Sequence, residues 1–205
     1  MSREKDFFDS QIAELSGLTS IYRHISQQGG FSGAEHILRA EYSLIVSAFD
    51  NYLHSVVRRK LGDAFFSSES TPEKLKLDMK IREFHTIIHE TNAEERKQLF
   101  DSALRKRLAE DSFQSPQSVE YALGLIEVKN LWKKAASELG GNVTPQTVRN
   151  QLALIVHRRN QIAHESDIDP ISLVPREIDI ADVAECRNFL TKLVACADSL
   201  IEEGN

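Results

Sequence analysis

The sequence predicts an all-α protein, and three observations carry that prediction. Glycine and proline are scarce, nine and five in 205 residues. They fall between stretches whose apolar residues recur every three or four positions. Thr71-Pro72, Ser115-Pro116 and Thr144-Pro145 each set a capping hydroxyl before a proline at the first helical position. There the missing amide hydrogen would have been unpaired anyway. Finally, no stretch alternates apolar and polar residues over a useful strand length. Together these give a bundle of up to seven helices.

Taken in order, the first helix is expected over Lys5–Ser26, with Phe8, Ile12, Leu15, Tyr22 and Ile25 on one face and Gln27-Gln28-Gly29-Gly30 as its stop. The second is expected from Ser32 to Leu61, ending before Gly62. Its centre, Tyr42 to Phe49, is apolar almost all round and should be the most buried part of the chain. Glu41 and Asp50 bound that run. Either both face solvent at its margins, or a buried carboxylate there takes a basic partner, for which Arg159 is a candidate. Thr71 to about Glu110 is the most polar segment and predicts two helices broken near Thr91-Asn92. One helix is expected from Pro116 to Leu139 before Gly140-Gly141, another from Pro145 through His164, and a last one from Asp179 to Glu202. Between the final two, Pro170 and Pro175 impose an extended connection. The domain reading is one helical unit over residues 1–205 with a polar helical insertion at 71–110.

Composition narrows the function. With 41% hydrophobic and 27% charged residues the chain is that of a folded globular protein. No apolar run approaches the ~20 residues that span a bilayer. Met1-Ser2-Arg3-Glu4-Lys5-Asp6 lacks the apolar core of a secretory signal. A cytoplasmic protein with no membrane partner is the expectation. A net charge of −6 argues against general nucleic-acid binding, though not against a local basic groove. Cys186 and Cys196 lie ten apart in one helix, roughly 15 Å at helical rise and too far for a disulfide. His85 and His89 stand four apart without a third ligand. Neither metal nor cofactor is expected.

The informative stretch is His157-Arg158-Arg159-Asn160-Gln161-Ile162-Ala163-His164-Glu165. Val148, Leu152, Ile155 and Ile162 form an apolar stripe on this helix, and Arg159 sits within it where a core would ask for leucine. His164 follows five residues later, the side chain best suited to proton transfer near neutral pH. RNA carries its own nucleophile, the 2′-hydroxyl beside the scissile phosphate. A histidine can remove that proton or protonate the leaving 5′-oxygen, and an arginine can stabilise charge on the phosphoryl oxygens. On a straight helix the two residues point roughly 140° apart, whereas Asn160 and His164 share a face. Either the helix loosens near Ser166, or two copies of it meet and pool their side chains.

Arg159-Asn160-Gln161-Ile162-Ala163-His164 resembles the R-x(4–6)-H signature of HEPN domains. The polar residue that often follows the arginine is supplied by Asn160. The long apolar second helix, the Ile168-Asp169-Pro170 stretch and the final helix are similar to the RiboL-PSP type or a sister type of that family. The resemblance implies a metal-independent endoribonuclease acting on RNA as a homodimer, within a toxin–antitoxin or other defence system and so with an antitoxin or defence-system partner protein. It implies Arg159 as the phosphate-stabilising arginine, Asn160 as its polar companion and His164 as the catalytic histidine. Arg158 also satisfies the spacing, and Asp50 best matches the acidic residue that members often carry in the second helix. Two other classes remain in view: a non-catalytic helical dimer that binds a partner, and a helix-turn-helix over Leu131–Asn150 that binds DNA.

Overall fold

Helices make up the regular structure of the chain, seen in a computed structural model that describes residues 1–29, 32–67 and 77–203. They are α1 (Arg3–Gln27), α2 (Glu35–Phe66), α3 (Ile81–His89), α4 (Ala93–Leu108), α5 (Pro116–Leu125), α6 (Leu131–Leu139), α7 (Pro145–His164) and α8 (Ile180–Glu203). No strand occurs among the described residues, only an isolated antiparallel bridge between Ile168 and Pro175. The all-α expectation holds. Eight helices stand among the described residues where up to seven were expected, and the expected Thr71-Pro72 start lies outside those residues.

Helix starts follow the caps written in the sequence. The Ser2 hydroxyl accepts the Lys5 amide at 3.1 Å, and the Asn92 side chain takes the Glu94 and Glu95 amides. Ser115 accepts from Ser118 and Thr144 from Thr147, each at 3.1 Å and each before a proline. Asp179 and Asp182 exchange backbone and carboxylate bonds at 2.9 Å, a reciprocal cap for α8.

Two boundaries depart from expectation. α2 runs through Gly62 to Phe66 instead of stopping at Leu61. A mid-helix glycine costs only about 1 kcal/mol. Phe65 stacks on Phe100 with ring centroids 4.2 Å apart, and Phe66 meets the same ring edge-on, so packing outweighs that penalty. The single helix expected over Pro116–Leu139 is two. Glu127 and Asn130 take φ of +60° and +68°, outside the helical region. That break adjoins the point where the chain passes from one compact unit to another.

The chain divides into Met1–Tyr52 with Asn130–Asn205 as one unit, and Leu53–Lys129 as a second. In the first, α6 lies against α7 and α8, and α1 against α8. Phe8, Leu38, Ile45, Phe49, Leu152 and Leu190 are among its fully buried side chains. Asp198, buried on α8, accepts the Ser2 amide at 3.1 Å, the Ser2 hydroxyl, and the Tyr52 hydroxyl at 3.4 Å. The start of α1 is thereby tied to α2 and α8. No described helix is long and apolar enough to cross a membrane.

Candidate active site

α7 positions the predicted site. Thr144 and Pro145 fix its start, and Val148, Leu152 and Ile155 bury one face, with Ile162 half-buried further on. The helix stays regular through His164, and the Glu165 amide still donates to the Gln161 carbonyl at 3.0 Å. Only then does the backbone reverse, Ser166 and Asp167 taking φ of +53° and +56°. Of the two ways to join Arg159 with His164, loosening of the helix end therefore does not occur before the histidine. The two residues leave an unbroken helix roughly 140° apart.

A side-chain contact links Arg159 to its neighbour. Nη1 of Arg159 donates to Oδ1 of Asn160 at 3.1 Å. Asn160 and His164 are both exposed and lie one turn apart on the same face. The asparagine that shares the histidine's face thus holds one end of the guanidinium. Nε of Arg159 is buried without a hydrogen-bond partner, so the stem is anchored while the head is not fully engaged. Of the two readings left open for Glu41, burial with a basic partner holds, but the partner is not the candidate Arg159. Glu41 is wholly buried and is held by Arg187 of α8 and by the Thr19 hydroxyl at 2.6 Å. Asp50 sits half-buried in the middle of α2, and His157 is exposed on α7.

A model of the RiboL-PSP-HEPN family matches residues 8–203, which include all of α7. The chain belongs to the RiboL-PSP-HEPN family. No curated protein and no solved structure matches it.

This HEPN chain treats its two adjacent arginines differently. Arg158 stands with Nη1 2.7 Å from Oδ1 of Asp167, an ion pair without the alignment of a hydrogen bond, and its Nη2 donates to the Glu177 carbonyl at 2.7 Å. Arg39 of α2 donates from Nε to the other carboxylate oxygen of Asp167 at 2.8 Å and from Nη2 to the Arg176 carbonyl at 2.6 Å. The Asp167 side chain has no exposed surface. Neither Asp167, Arg39 nor Arg187 stands out in the sequence. A loop aspartate and two helix arginines carry no periodicity signal, and the Arg39–Asp167 and Arg187–Glu41 pairs each span more than a hundred positions.

A cavity of about 230 Å³ opens beside α7, lined in part by Tyr42, Gln151, Arg158, Glu177, Asp182 and Cys186. Burial pushes the Cys186 thiol up to about 12, and burial together with the adjacent Cys186 raises the Tyr42 phenol. Both stay protonated near neutral pH, so the cavity presents no thiolate nucleophile. The His85 and His89 rings lie 4.3 Å apart on α3, tilted by 49° to one another. No group of three His, Cys, Asp or Glu side chains among the described residues is arranged to hold a metal ion.

Proposed function

We propose that this HEPN protein is an endoribonuclease that cleaves RNA by attack of the 2′-hydroxyl on the adjacent phosphate, leaving a 2′,3′-cyclic phosphate and a free 5′-hydroxyl. His164 accepts the 2′-hydroxyl proton as the phosphorus–oxygen bond forms, and an imidazolium returns a proton to the departing 5′-oxygen. Arg159 stabilises the charge on the phosphoryl oxygens, and Asn160 orients its guanidinium. Asp50 is a supporting acidic residue on α2. The chemistry uses no metal or other cofactor. Because one α7 leaves Arg159 and His164 on different faces, two copies pool their helices in a symmetric homodimer. A cytoplasmic toxic effector of a prokaryotic defence or toxin–antitoxin system, restrained by an antitoxin or other partner protein, is the setting that family membership suggests.

The observation that supports this reading is the Arg159–Asn160 bond at 3.1 Å, which joins the motif arginine to the polar side chain that shares a face with His164. The test is incubation of purified protein with mixed cellular RNA in EDTA, followed by analysis of product ends. Cyclic phosphates are expected, and Arg159→Ala or His164→Ala should lower their yield by roughly 10²- to 10⁴-fold. Complete dependence on magnesium would overturn the mechanism.

One observation favours a second reading. Ile171, Leu173 and Val174 are exposed at 93%, 76% and 58% in the loop after α7, which suits a non-catalytic module that docks a partner. Under that reading His164→Ala leaves binding untouched and no RNA is cut.

A further inference from the structure

α7 offers two consecutive arginines at a spacing from His164 that could serve a phosphate, and the fold separates them. Arg158 is committed to Asp167 and to the Glu177 carbonyl. Arg39 holds the opposite oxygen of the same carboxylate and the Arg176 carbonyl. Both ends of the loop from Asp167 to Glu177 are therefore pinned by two guanidiniums, one from α2 and one from α7. Main-chain bonds complete the closure. The Asp167 amide donates to the Gln161 carbonyl at 3.0 Å, and the Asp167 carbonyl accepts the Arg176 amide at 2.7 Å.

Two features mark this arrangement as costly to maintain. A carboxylate with no exposed surface needs cations there, and Arg39 meets it through a hydrogen bond while Arg158 meets it through charge. Ser166 and Asp167 are consecutive non-glycine residues in the left-handed region, a strained conformation that surrounding contacts must enforce. The strain falls two and three residues beyond His164.

We propose that Asp167 is a positioning residue for the Arg159/His164 site. It withdraws Arg158 from the RNA and fixes the closing turn of α7, so that Arg159 is the α7 arginine that meets the phosphate. The inference rests on the endoribonuclease reading for its kinetic consequence, while its structural half stands apart from it.

The test compares wild type with Asp167→Asn, Arg158→Gln and the double variant. Cleavage is measured below the melting temperature of each protein. Asp167→Asn removes the charge and releases Arg158. Its kcat should fall about ten- to a hundredfold with KM unchanged or lower, since a freed guanidinium still binds phosphate but in the wrong place. The double variant, with no arginine to release, should recover kcat severalfold over Asp167→Asn, and its shortfall from Arg158→Gln is the cost of the unpinned turn. A merely structural aspartate gives the opposite pattern: kcat is unchanged in Asp167→Asn below its melting temperature, or the double variant is no better than the single. Either result overturns the proposal. If Asp167→Asn fails to fold, Arg158→Gln decides alone: kcat within about threefold of wild type supports the division of labour, and a loss as large as that of Arg159→Ala overturns it.

If wild type cuts no RNA, the endoribonuclease reading fails by itself, and hydrogen exchange with histidine ring resonances decides the positioning role. In Asp167→Asn the amides of Glu165 and Asp167 should lose protection and the His164 ring signals should shift, with α1 and α8 unchanged. Unmoved His164 signals would overturn it.

Discussion

Glu41 interrupts the most apolar run in the chain, and its residue-scale chemistry follows from having no exposed surface. A carboxylate so placed needs cationic or donor partners, and Arg187 and Thr19 supply them. That a partner was required is legible in the sequence. Which one was not, because Arg187 lies 146 positions away. Removing only the cation leaves an unpaired buried charge. Arg187→Met should therefore lower unfolding stability by about 3–5 kcal/mol in urea titrations. Glu41→Leu together with Arg187→Met should cost clearly less than Arg187→Met alone, because no buried charge then remains. A double variant as unstable as that single one would contradict this account.

At the scale of the element, caps were the most legible feature and stops the least. Ser115-Pro116 and Thr144-Pro145 open helices because a hydroxyl and a fixed φ are local properties. Stops depend on what a helix finds to pack against. α2 continues past Gly62 because Phe65 and Phe66 gain the Phe100 ring, whereas α5 ends at Leu125 although no proline follows. Gly62 has helical backbone, and a Cβ built there meets nothing within 4 Å. Gly62→Ala should raise stability by about 0.5–1 kcal/mol, read as a higher melting temperature with unchanged circular dichroism. Loss of stability would mean that the glycine accommodates a neighbour or a motion of α2. On α7 the same distinction holds. The spacing of Asn160 and His164 fixes their common face, but the bond that ties Arg159 to Asn160 had to be seen.

For the whole molecule, the discontinuous unit is the main consequence of the fold. α6, α7 and α8 are contiguous in sequence, yet Asp167 takes Arg39 and Asp198 takes Ser2 and Tyr52 from the other end of the chain. A fragment of residues 130–205 should therefore lose most of its helical circular dichroism, and addition of residues 1–66 should restore a large part of it. A fragment that folds alone with native ellipticity would show that these ties are dispensable. The sequence by itself determined the helical class, the capped starts, the buried centre of α2 and the Arg159-to-His164 stretch, since each depends on neighbours within a few residues. The tertiary structure alone decided which charges pair across the chain, where α2 and α5 end, and that Arg39 shares Asp167 with Arg158. Those outcomes depend on groups that meet only when distant helices pack, and packing leaves no trace in local spacing.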